Sequence, residues 1–203
     1  MGRLTRLPRS FYRRGAKQVA RALLGQLLVR VDGGRRFSGI IVETEAYLGI
    51  EDKAAHTFNG RRTDRNQSMW CDGGHAYVYF TYGMHHCFNV VSGHHGQPVA
   101  ALVRALEPGE RLDLMYARRG AARRDTDLCS GPAKLTEALG IDRDLDGVDL
   151  TSSGALFIER LRQRAFPSAR VGVSPRVGVP YAGEWARAPL RFFLHDNPHV
   201  SRV

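Results

Sequence analysis

Apolar residues change their period twice before the chain reaches its fiftieth position. Val19, Leu23, Leu24 and Leu27 recur three and four apart, which predicts an amphipathic helix over residues 16–25. The run from Leu27 to Val31 then reads as a strand, Asp32-Gly33-Gly34 as a hairpin turn and Phe37 to Tyr47 as the returning strand. Residues 49–74 keep neither period; polar and glycine-rich, with GRRTDRNQ in their middle, they read as a long functional loop. Alternation returns in HAYVYFTYGMHHCFNVVS on both sides of Gly83, predicting two strands folded about Tyr82-Gly83-Met84. PVAALVRAL predicts another strand, a helix is expected over 108–116, and after the basic loop ARRGAARRD a second helix is opened by Ser130-Gly131-Pro132. RVGV occurs at 170–173 and again at 176–179, and LRFFLHD reads as a closing strand. The pattern predicts an α+β domain around a largely antiparallel sheet.

With 203 residues, 43% of them hydrophobic, the chain can fill one substantial core, so one domain is expected. Charge sharpens the picture. The formal net charge is +10, and 27 of the 30 basic residues are arginine, a balance that suits a nucleic-acid partner or simply an arginine-rich solvated surface. Seven arginines and no acid occur before Asp32, so residues 1–15 read as a basic N-terminal arm ahead of a domain over 16–203. Cys71, Cys87 and Cys129 have no regular spacing, which points to a reducing, cytoplasmic compartment. No apolar run is long enough to span a membrane, so no membrane partner is expected.

The chemistry centres on IIVETEAY. Strand alternation places Ile41, Glu43, Glu45 and Tyr47 on one face, with about 7 Å between alternate side chains. A buried carboxylate without a partner costs several kcal/mol, so this face must meet water, a cation or a substrate. Arg104, stranded among Val99, Leu102, Val103 and Leu106, is the available partner, and the group is either a plain ion pair or a reactive one. Tyr77, Tyr79 and Tyr82, with Tyr47 and His56 near the glutamates, either pack the sheet or sandwich an unstacked base. Tyr82 differs, because a glycine-containing tip would hold it out as a wedge. The histidines and cysteines include no CxxC pair, and adjacent His85 and His86 on a strand point to opposite faces, so no metal site is expected.

The ordered blocks IVETEAYLG, EDKAAH, RRTDRN, YVYFTYGM, CFN, VRALEP, LCSGPAKL and RVGVPYAGEWARAPLRF make the chain, from about Leu23 onward, resemble the alkyladenine, or 3-methyladenine, DNA glycosylases of the mammalian type. The resemblance implies a curved sheet with peripheral helices and a protruding β-hairpin. It also implies a cofactor-free, monomeric repair enzyme that flips damaged purines, of the 3-methyladenine, hypoxanthine and ethenoadenine type, from double-stranded DNA and hydrolyses the N-glycosidic bond. On that resemblance Glu45 is the general base, and Arg104 and the main-chain carbonyl of Val177 help hold the water. Tyr47 on one side and His56 and Tyr79 on the other stack the base, Asn89 lines the pocket, and Tyr82 fills the vacated stack. Met84 and His85 lie in the minor groove, and Arg61, Arg65 and Lys134 contact phosphates. His85 and His86 depart from the bulky residues expected beside the wedge, and Glu43 receives no role beyond bracing a loop or bonding backbone groups. Two rivals stay open: an inverting glycoside hydrolase built on Glu43 and Glu45, and a non-catalytic nucleic-acid module.

Overall fold

The computed structural model describes residues 4–201. Helices α1 (Arg9–Tyr12) and α2 (Ala16–Leu23) lead into strands β1 (Leu27–Asp32) and β2 (Arg35–Tyr47). After a long loop come β3 (Ala76–Thr81), β4 (His85–Ser92) and β5 (Val99–Glu110). Helices α3 (Leu112–Arg118), α4 (Asp125–Leu128) and α5 (Pro132–Leu139) follow, then β6 (Leu156–Glu159), β7 (Val171–Ser174) and β8 (Arg191–Leu194). The strands form one antiparallel sheet in the order β3-β4-β5-β2-β1-β6, with β8 joining β2 and β7 joining β8. This is the expected α+β architecture. Its core lies where Val19, Ala20 and Leu23 of α2 and Leu135, Ala138 and Leu139 of α5 bury their apolar stripes with Val42, Phe88 and Val103 of the sheet.

β2 is the strand on which the site depends. β1 pairs with its first half as far as Ile40, and β8 takes over from Glu43 to Glu45. Against β5 the register slips once between Ser38 and Gly39, and twice more around Glu43 in compensating fashion. Ile41 faces Leu106 and Glu43 faces Ala105, which makes Val42 the extra residue on β2, while Thr44 faces Val103, which makes Arg104 the extra residue on β5. Bulges of this kind turn a side chain out of the regular alternation.

Two expectations need revision. The helix predicted over 108–116 begins only at Leu112, because β5 continues through Pro108 to Glu110. β4 pairs with β5 only over Val99–Leu102, so the missing proline N–H costs no ladder bond to β4 at that level. From residue 4 onward the basic N-terminal segment is seated on the fold: Leu7 and Tyr12 are fully buried, Leu7 N–H donates to Ile158 O at 2.9 Å, and Arg9 pairs with Asp149. The two RVGV copies are also structurally different. The first supplies β7, and the second is a loop that reaches into the sheet beside Glu45.

Candidate active site

Glu45 is fully buried, yet its two oxygens are held by three donors from three segments. Tyr47 Oη donates to Oε2 at 2.9 Å, Val177 N–H donates to Oε1 at 2.7 Å, and Arg104 Nη1 lies 3.2 Å from Oε1. Burial drives its pKa above the ordinary glutamate value, and Arg104, Val177 and Tyr47 offset only part of that effect. The expected common face of Glu43, Glu45 and Tyr47 therefore exists, with Arg104 bridging the two carboxylates.

Glu43 is spent differently. Its carboxylate accepts from Arg104 Nε at 2.8 Å, Arg191 Nε at 2.6 Å, Ser201 N–H at 2.7 Å and Ser201 Oγ at 2.9 Å. Burial works against ionisation here too, but Arg104, Ser201 and Arg191 together overcome it and hold the pKa below the ordinary value. Glu43, left without an assigned role in the sequence, thus joins β2 and β5 to β8 and the C-terminal segment.

Beyond Tyr47 a cleft of about 50 Å³ is lined by Tyr47, His56, Tyr77, Tyr79, Asn89 and Tyr181. It shares His56, Tyr77 and Tyr181 with a wider vestibule of about 310 Å³, whose walls include Lys53, Arg61 and Arg65. His56 and Tyr79 meet edge to face at 4.6 Å, and His56 Nδ1 is 2.7 Å from Tyr77 Oη. Burial, followed by Arg65 and Arg61, lowers the His56 pKa to about 4, so its ring is neutral near pH 7. Asn89 sits at the back, its Nδ2 donating to Tyr77 O at 3.1 Å.

The β3–β4 hairpin turns through Tyr82, Gly83 and Met84, with Tyr82 and Gly83 at positive φ (52° and 68°) and Met84 N–H donating to Thr81 O at 3.3 Å. Tyr82 is 84% exposed and Met84 70%, so the tip presents bare apolar surface. Arg65 Nη2 donates to Phe80 O at 2.9 Å, tying the vestibule to this hairpin. His85 pairs with Thr81 at its base, and His86 packs on Phe80 at 5.0 Å. Lys134, on α5, is half-buried with its Nζ 3.5 Å from Ser130 Oγ, apart from the vestibule lining.

A model of the methylpurine-DNA glycosylase family matches residues 10–198. The chain belongs to that family. It is 47% identical over 211 residues to the human protein named DNA-3-methyladenine glycosylase, covering 100% of this chain and 70% of the human one. With the mouse protein of the same name the identity is 44% over 207 residues, covering 98% of this chain and 62% of the mouse one. A relative from Desulfitobacterium hafniense is 43% identical over 205 residues and is covered over 99% of its own length.

Within this methylpurine-DNA glycosylase chain, several site residues had no assigned role in the sequence. Tyr181, 69% exposed, lines both the cleft and the vestibule, and only its place in the YAGEWA block could have marked it. Arg191 carried the same signal as Arg104, a charge inside an apolar strand. Asp52 and Arg176 form a fully buried pair at 2.6 Å that no local pattern announces. Among the described residues no three His, Cys, Asp or Glu side chains gather as metal ligands, and no helix is long and apolar enough to cross a membrane.

Proposed function

We propose that the protein is a DNA-3-methyladenine glycosylase of base-excision repair that extrudes a damaged purine from duplex DNA and hydrolyses its N-glycosidic bond with water activated by Glu45. The observation that carries this reading is a buried carboxylate of raised pKa, bonded to the Tyr47 hydroxyl at the end of an aromatic cleft. The sugar C1′ is inaccessible to water inside an intact duplex, so the nucleotide must leave the stack first. Tyr82, exposed at the hairpin tip, fills the gap, with Met84 and His85 beside it in the minor groove. Tyr47 stacks on one side of the extruded base and His56 and Tyr79 on the other, while Asn89 lines the end of the pocket. Arg61, Arg65 and Lys134 contact phosphates.

Arg104 and the Val177 carbonyl orient the water and ionised Glu45 takes its proton. The departing sugar acquires oxocarbenium character, which the same carboxylate stabilises electrostatically. 3-Methyladenine, hypoxanthine and ethenoadenine are the substrate types, and the protein works as a monomer. It leaves an uncut abasic site, because strand cleavage by a lyase needs an amine to form a Schiff base. None of the three lysines lines the inner cleft. The glycoside-hydrolase rival needs a proton from Glu43, and four donated bonds and a lowered pKa make Glu43 a poor acid.

Duplex DNA carrying a single hypoxanthine or 3-methyladenine provides the test. Incubation with the protein followed by hot alkali should cut at the lesion, and without alkali the strand should stay whole. No alkali-labile site with either lesion defeats the reading; cutting without alkali, or a borohydride-trapped adduct, defeats its monofunctional part.

A further inference from the structure

Behind the Tyr47 ring, on the side away from the cleft, lies a cation. Arg176 Cζ sits 4.7 Å from the ring centroid, and the Arg176 side chain is fully buried and lines neither the cleft nor the vestibule. Its guanidinium is fixed from several directions: to Asp52 by bonds of 2.6 and 2.8 Å, to Ala46 O at 3.0 Å and to Trp185 O at 3.4 Å. Asp52 in turn accepts from Leu48 N–H and Ala54 N–H, both at 3.0 Å. Nothing in the proposed hydrolysis uses this pair, although a buried ion pair carries a large desolvation cost. Arg176 is also the neighbour in sequence of Val177, so the pair ties the loop that carries Val177 to the segment carrying Ala54, Ala55 and His56.

We infer that Arg176, held by Asp52 on the far face of Tyr47, sets how strongly the pocket favours positively charged purines over neutral ones. This rests on the reading that the extruded base stacks on the near face of Tyr47. An aromatic face ordinarily attracts a cation through its quadrupole. With a guanidinium already on one face, a purine made cationic by N-alkylation meets positive charge through the ring at about 8 Å, adding a stacking distance to the observed separation. At an effective dielectric near 20 that repulsion alone biases binding by more than about tenfold, and the opposite charge of Asp52 reduces it to roughly fivefold. The pocket is thereby kept from holding cations so tightly that neutral lesions are outcompeted. Discrimination falls instead on the ease with which the base departs.

The test separates this effect from mere bracing by reading a ratio. In an excision-dead Glu45→Gln background, affinities are measured for duplexes carrying 7-methylguanine, a cation, and hypoxanthine, which is neutral. Asp52→Asn, which leaves the arginine charge uncompensated, should shift the ratio about fivefold toward hypoxanthine. The double variant Asp52→Asn/Arg176→Gln, which removes both charges and keeps polar side chains, should shift it about fivefold toward 7-methylguanine. Should the double variant fail to fold, the single one decides through its sign. Parallel losses for both lesions, an unchanged ratio, or shifts of the same sign in both variants would overturn the inference and leave the glycosylase reading standing. Failure of the background protein itself to prefer either lesion over undamaged DNA would overturn both.

Discussion

Glu43 and Glu45 are two residues apart on one strand, equally buried and bridged by one guanidinium, yet their surroundings push them in opposite directions. Around Glu43 the protein supplies two arginines and both donors of Ser201, and ionisation is favoured. Around Glu45 it supplies a shared arginine, one amide and a tyrosine hydroxyl, and burial prevails. A carboxylate saturated with donors is a structural clasp. One left under-compensated beside a cleft retains the drive to take a proton, which is the property a general base needs.

The contrast can be broken most severely at the clasp. Glu43→Gln would leave Arg191 buried without its anion and Arg104 with Glu45 alone, and a loss of about 3–5 kcal/mol in unfolding free energy is expected from denaturant melts. A loss below about 1 kcal/mol would mean that Glu43 holds little together. At the hairpin, Tyr82→Ala should lower the flipped population by about tenfold, consistent with the few kcal/mol that unstacking costs. The readout is fluorescence of a reporter base beside the lesion, and an unchanged signal would remove Tyr82 from that role. Tyr181→Ala, at the shared wall of cleft and vestibule, should weaken single-turnover excision about fivefold to tenfold, the lower end of the range for one lost base–aromatic contact. No change for either a cationic or a neutral lesion would reduce Tyr181 to a bystander.

The smallest effects are those of pH, and they carry opposite signs. The lowered pKa of Glu43 contributes stability above the unfolded carboxylate value, and that contribution is lost as pH falls through its folded value. The raised pKa of Glu45 contributes stability below the unfolded value, lost as pH rises through its folded value. Glu45→Gln should therefore be at least as stable as the parent near pH 7, where Glu43→Gln is weaker. Excision of 3-methyladenine, already a cation, should rise as Glu45 ionises, with a midpoint above that of an ordinary glutamate, and then level off. Hypoxanthine, which must gain a proton to leave, should follow a bell. Superimposable profiles, corrected for binding and stability, would point to a common limiting step such as flipping.

Much of this contrast was open to reading in the chain, because strand alternation is local. It brought Glu43, Glu45 and Tyr47 to one face and made Arg104 conspicuous. The hairpin tip was equally legible from its glycine. The division of labour between the glutamates was not, since the donors that settle it lie 148 and 158 positions away, at Arg191 and Ser201. Nor could alternation foresee the paired bulges at Val42 and Arg104, which arise only when two strands are laid side by side. Pro108 misled for a related reason: proline opens helices, and it can remain in a strand here because β4 stops pairing with β5 at Leu102. The Asp52–Arg176 pair and the place of Tyr181 became visible only once segments far apart in sequence had met in the fold.

The most direct measurement sets binding against chemistry in Glu45→Gln. The isosteric amide keeps the size of the side chain but cannot take a proton from water. In one preparation, affinity for a hypoxanthine duplex should stay within a few-fold of the parent while single-turnover excision falls by at least about a hundredfold, the lower end of what a general base contributes. Excision within about tenfold of the parent, with the protein folded and bound to the lesion, would contradict the assignment of Glu45 as the base.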